Sequence, residues 1–236
     1  MSTSVYQGTE KIGDIVAEFP GASNIFREYK IDFCCGGNRS LLAVIEKQKL
    51  NAEEVLEKLN QAYGDMKEQS KQADWRKEPS ALLIDHIVNK HHGYLQREMP
   101  LLSEFTTKIL RVHGAGHPEL ASLHRLFHQV KMELDQHLIR EEQVLFPLIK
   151  EYEQNPSEDV KQRVVKELEE LENEHEQAGD LVKEMRQVTA EYQLPPEACR
   201  TYTLTFQKLQ EFESDLFEHI HLENNVLFPR FVTISE

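Results

Sequence analysis

The sequence predicts an all-α protein: a four-helix bundle preceded by a small helical N-terminal domain. Three observations carry this. Helix formers dominate, and 236 residues hold only 10 Gly and 9 Pro. From Ser80 onward, apolar residues recur every three or four positions over four long stretches. The connections between them, HGAGH, EQNPS and QLPPE, are short and turn-like, which favours an up-down-up-down arrangement.

Composition narrows the function classes. The chain is 39% apolar and 29% charged, as in a soluble globular protein. A formal net charge of -14 argues against a nucleic-acid or anionic-membrane binder, because both need basic surface. Three cysteines are too few for a disulfide scaffold. The opening MSTSVYQGTE lacks the basic start and apolar centre of a secretion signal, and no apolar run reaches membrane-span length. The expectation is a cytoplasmic protein.

Residues 1–65 read as the N-terminal domain of short helices. Ile12, Ile15, Val16 and Phe19 share a face, and Pro20-Gly21 ends that segment. A second helix covers Ala22 to Tyr29, and IDFCCGGNRS is a turn by its glycines. Ser40 is placed to cap the next helix, and Asn51 with Glu54 to start another. Residues 66–79 are polar and read as a linker, with Trp75 pinning it to a neighbour. Residues 80–236 form the bundle, with helices over about 80–112 (kinked at Pro100), 118–152, 157–192 and 197–228.

The chemistry lies in an internal repeat. Residues 137–147 read HLIREEQVLFP and residues 219–229 read HIHLENNVLFP, sharing H-x-x-x-E-x-x-V-L-F-P. His137 and Glu141, and again His219 and Glu223, are one turn apart on one helix face. They continue apolar stripes: Val130, Leu134, Val144 and Leu148 in the first copy, Phe212, Leu216, Val226 and Leu227 in the second. On the third bundle helix the stripe Val164, Leu168, Leu171, Ala178, Val182 and Met185 takes in His175; on the first, Leu82 and Leu83 lead to His86.

Two carboxylates inside a bundle are costly unless paired, and no Lys or Arg recurs in the stripes. A pair of metal ions satisfies them. A carboxylate can bridge two ions and an imidazole nitrogen cannot, so the set is four terminal histidines, two per ion, with Glu141 and Glu223 bridging. A lone core histidine is ordinarily a hydrogen-bonded packing residue, but matching sets on four helices are far more specific. Imidazole and carboxylate suit iron, zinc, manganese and copper; a bridged pair in a bundle favours iron, with manganese next. Glu133 and Asp215, each four residues before a ligand histidine, are candidate outer partners, and His113 is a weak extra ligand. His92, His117, His124, His128 and His221 lack such support.

Cys34 and Cys35 are adjacent in the glycine-rich turn, where a relaxed disulfide between neighbours is rare. Accessible thiols there suit redox chemistry or transient metal hand-over. Cys199 reads as a packing residue.

In order, DFCCGG, IDHI, H-x-x-x-E-E-Q-x-L-F-P, N-E-H-x-x-A-G, P-P-E-A-C and H-I-x-L-E-N-N-V-L-F-P resemble the di-iron proteins that repair iron-sulfur clusters, the "repair of iron centres" family. The resemblance covers nearly the whole chain. It implies a hemerythrin-like bundle holding two irons joined by an oxo or hydroxo group, with His86 and His219 on one iron, His137 and His175 on the other, and Glu141 and Glu223 bridging. It also implies repair of clusters damaged by oxidative or nitrosative stress, by iron donation to damaged proteins, with an electron donor as second partner and a homodimer among the expected assemblies. In that scheme reduction loosens one iron and Cys34 and Cys35 assist its transfer. Two alternatives stay open: an enzyme reducing nitric oxide, and a module that binds or senses oxygen or nitric oxide.

Overall fold

Residues 5–69 and 74–232 are described in the computed structural model, and among them helices carry the architecture with no β-strand beyond an isolated bridge between Lys11 and Ser40. Two compact units form. One comprises residues 1–83 and 220–236, the other residues 84–219.

The first unit holds α1 (Ile12–Glu18), α2 (Ala22–Glu28), α3 (Leu41–Gln48) and α4 (Ala52–Gln69). Ile12, Ile15, Val16 and Phe19 are buried, as their spacing requires. Ser40 caps α3 by accepting from the Ala43 N–H, and the Asn51 side chain accepts from Glu53 and Glu54 N–H at the start of α4. Such caps contribute about 1 kcal/mol each. The C-terminus of α3 turns through Lys49 at φ 57°, and the Leu50 N–H returns to the Ile45 carbonyl at 3.0 Å. α4 continues through Gln69, well into the stretch expected to be a linker, and residues 70–73 of that stretch lie outside the described residues. Beyond them it is the Trp75 carbonyl that is held: Arg230 donates to it at 2.6 Å and to the Glu78 carbonyl at 2.9 Å.

The cysteine turn belongs to this unit and is tied down on several sides. Asp32 Oδ1 accepts from the N–H groups of Cys35 and Gly36, both at 3.1 Å. Gly13 N–H donates to the Gly37 carbonyl at 2.8 Å. Asn225 donates its amide to the carbonyls of Cys34 (2.9 Å) and Phe33 (3.4 Å). Its side chain fills the space that a Cβ on Gly13 or Gly37 would need.

The second unit holds α6 (Gly93–His113), α7 (Glu119–Arg140), α8 (Phe146–Gln154), α9 (Glu158–Val188) and most of α10 (Arg200–Leu222); α5 (Ser80–His86) leads into it. α6 runs unbroken through Pro100. Two π-helical turns, Ile87–His92 and Glu141–Leu145, interrupt the α-helical geometry of this unit, and a third, Glu223–Leu227, lies in the first unit. Each inserts a residue and rotates the side chains that follow, a device that recurs at functional sites. α9 stops at Val188, because Ala190, Glu191 and Tyr192 all adopt positive φ. Inside the bundle Phe127 meets Phe212 edge-on at 5.7 Å, and the buried Glu213 is satisfied by Arg186 and by the Tyr192 hydroxyl at 3.1 Å.

Gly13→Ala forces its new methyl into the Asn225 side chain. The expected cost is about 1–3 kcal/mol, read as a lower urea midpoint with unchanged slope, and partly recovered in Gly13→Ala/Asn225→Ala.

Candidate metal centre

The π-helical turns Ile87–His92 and Glu141–Leu145, with α7, α9 and α10, bring five buried side chains together: His92, His137, Glu141, His175 and His219, none more than 3% exposed. α10 continues without interruption into the turn that carries Glu223, also buried, four residues after His219. Two overlapping groups result, each with ligand atoms within 4.8 Å of one another: His92, His219, Glu141 and Glu223; and His137, His175, Glu141 and Glu223.

The distances explain why the set suits cations. His92 Nε2 lies 3.2 Å from His219 Nε2 and 3.4 Å from Glu141 Oε2. His137 Nε2 lies 2.9 Å from His175 Nε2 and 3.3 Å from Glu141 Oε2. The opposite ring nitrogens are committed: His92 Nδ1 to Glu142 at 2.8 Å, and His137 Nδ1 to Glu174 at 2.8 Å. An ionised carboxylate only accepts, so each Nδ1 carries the proton and each neutral ring aims its Nε2 lone pair inward. Lone pairs thus face one another across a buried carboxylate whose two oxygens receive no hydrogen bond. Burial pushes the Glu141 carboxyl up, but protonated, cationic rings at His137, His92 and His219 outweigh it and hold the carboxyl well below its usual range; with the rings neutral, divalent cations would supply that positive charge instead. Four imidazoles and two carboxylates match borderline divalent metals, and Glu141 and Glu223, in both groups, are the residues able to bridge.

The geometry assembles five of the six residues expected from the sequence and uses His92 where His86 was expected. His86 belongs to neither group; it is half-buried and edge-on to His91 at 5.8 Å. Leu82, which oriented that reading, is 52% exposed. The buried stripe runs Leu83, Ile84, Ile87, His91, Leu95, and the π-turn brings both His91 and His92 inward. That stripe and the HH doublet were the usable signals. His113 ends α6, about 30 Å along the helix from His92, and bonds Cys199 Sγ at 3.2 Å. Glu133 accepts from Gln129 rather than from His137. Asp215 accepts from His91 at 3.0 Å, not from His219; the His91 ring stacks on His219 at 5.7 Å. Cys34 is buried, so of the pair expected to be accessible only Cys35 reaches the surface, while Cys199, expected to pack, is exposed.

The two outer partners differ. Glu174 is clamped by Arg140 at 3.2 Å, which also binds Glu167 at 2.8 Å and Glu170. The hydrogen bond from His137, with help from Arg140, holds the Glu174 carboxyl below its usual range. Glu142 meets, besides His92, the Gln96 amide at 3.5 Å, and its side chain is 35% exposed on a cleft lined by Ile84, Val88, Phe146, Pro147 and Lys150.

Comparison with known proteins places the chain in a cation-binding family. The hemerythrin HHE cation binding domain matches residues 83–231, and a domain of unknown function (DUF542) matches residues 8–63. The iron-sulfur cluster repair protein ScdA of Staphylococcus haemolyticus is 33% identical over 220 residues, 93% of this chain and 96% of that protein. The iron-sulfur cluster repair proteins YtfE of Citrobacter koseri and of Escherichia coli O17:K52:H18 are each 34% identical over 221 residues, 94% of this chain and 96% of theirs.

His92→Ala is expected to lower bound metal in the purified protein by about half or more, whereas His86→Ala retains it. Elemental analysis on variants with unchanged helical circular dichroism checks both.

Proposed function

The chain belongs to the hemerythrin HHE family of iron-sulfur cluster repair proteins, and from that premise we propose that it stores two ferrous-exchangeable irons and donates iron to damaged clusters in the bacterial cytoplasm. His92 and His219 would hold one iron and His137 and His175 the other, with Glu141 and Glu223 within reach of both. The convergence of inward-facing Nε2 atoms on a carboxylate without hydrogen bonds carries the reading. Bound iron supplies a redox couple, and its reduced form is held less firmly by carboxylates.

The protein's own groups do the rest. Glu142 and Glu174 keep protons on Nδ1 of His92 and His137, so that both rings present Nε2 to the interior. The ring of Phe146, stacked on His92 at 5.7 Å, and the burial of all four imidazoles exclude water. Release is unequal. Arg140 anchors the outer partner of His137, whereas the outer partner of His92 stands at an open cleft, so the cargo iron leaves first from the His92 and His219 side.

Donation is tested anaerobically with iron-loaded protein, a protein bearing a damaged cluster, and a reductant. The expected result is stoichiometric loss of iron with recovery of the cluster. Sustained nitric oxide turnover with iron retained contradicts donation and favours a reductase; reversible oxygen or nitric oxide binding without loss favours a sensor. Glu142→Ala should hasten release of one iron equivalent to a ferrous chelator by about tenfold, while Arg140→Leu hastens release of the other.

A further inference from the structure

The cysteine turn holds a third cluster of ligand atoms, built from residues the bundle does not use. Asp32, Cys34 and Cys35 each offer a donor within 4.8 Å of the others. Cys34 Sγ lies 3.7 Å from Cys35 Sγ and 3.3 Å from Asp32 Oδ1. Around a tetrahedral ion with metal–sulfur bonds near 2.3 Å and metal–oxygen bonds near 2.1 Å, neighbouring donors stand about 3.8 Å (sulfur to sulfur) and about 3.6 Å (sulfur to oxygen) apart. The observed separations are therefore edges of such a tetrahedron to within a few tenths of an ångström. We propose that Asp32, Cys34 and Cys35 form a separate site for one thiophilic divalent cation, ferrous iron or zinc, with a fourth position open to an exchanging ligand.

The surroundings favour occupancy. Asp32 is oriented by the Cys35 and Gly36 N–H groups, and Asn225 fixes the carbonyls of Phe33 and Cys34. Little ordering is left to be lost on binding. A divalent cation releases both thiol protons to solvent and offsets the two thiolate charges, leaving the site's net charge as it was. Cys34 anchors the ion from the interior and the half-buried Cys35 from the surface, which suits a site that passes its ion on. The site rests on its own three side chains; its purpose, receiving ferrous iron in transit, rests on the donation reading.

The test uses cobalt(II) as spectroscopic stand-in, titrated into full-length reduced protein whose bundle is already loaded with iron. Expected is a near-ultraviolet thiolate-to-cobalt charge-transfer band saturating at about one equivalent per chain, displaced by zinc and unchanged in Cys199→Ser. Cys34→Ser/Cys35→Ser abolishes the band and Asp32→Asn weakens binding about tenfold or more, each with bundle iron content retained as the check on folding. Absence of the band in the reduced wild-type protein, its persistence in the double cysteine variant, or its loss in Cys199→Ser overturns the site. Loss of iron from the bundle in the same samples speaks instead to the donation reading, so the two failures are separable.

Discussion

Everything in the bundle answers to one constraint: Glu141 and Glu223 are carboxylates taken wholly out of water. Leaving a buried charge uncompensated costs several kcal/mol. Among the described residues no lysine or arginine is brought to Glu141; four imidazoles are, and the orientation of two of them is set from outside by Glu142 and Glu174. A site of this kind stabilises the fold only when cations complete it. The π-turns follow from the same demand. The first ends on His92 and shifts it out of α-helical register toward the interior; the other two begin at Glu141 and Glu223, which α-helical spacing from His137 and His219 already turns inward.

The two halves of the internal repeat share ligands and diverge on their outer faces. In the first copy Ile139 is 56% exposed and Gln143 faces solvent. The matching residues of the second copy are His221 and Asn225. His221 is buried, edge-on to Phe33 at 6.0 Å, and Asn225 grips the cysteine turn. His221 belongs to neither group of ligand atoms and packs against the turn. Duplication explains the site; divergence explains how the second copy also carries the cysteine turn.

Much of this was legible in the sequence because it rests on local rules. The apolar stripes of the second, third and fourth bundle helices, apart from the exposed Val144, the caps at Ser40 and Asn51, and the inward positions of His137, Glu141, His175, His219 and Glu223 follow from spacing. What escaped depends on geometry that spacing does not encode. An α-helical count from Leu82 and Leu83 reaches His86; the inserted π residue and the true stripe through Ile87 lead to His92. Spacing points to outer partners four residues before each histidine on its own helix, whereas Glu174 comes to His137 from α9 and Asp215 goes to His91 on the neighbouring π-turn. The glycines beside Cys34 suggest an accessible thiol, yet Cys34 is buried and its carbonyl is held by Asn225, 191 residues away.

The central claim is that these imidazoles and carboxylates hold two metal ions as one coupled pair. Mössbauer spectroscopy of protein loaded with iron-57 tests it most directly. The account predicts about two irons per chain, in two comparable populations, magnetically coupled to a diamagnetic ground state when oxidised. A single population of isolated, paramagnetic iron at one per chain would contradict it.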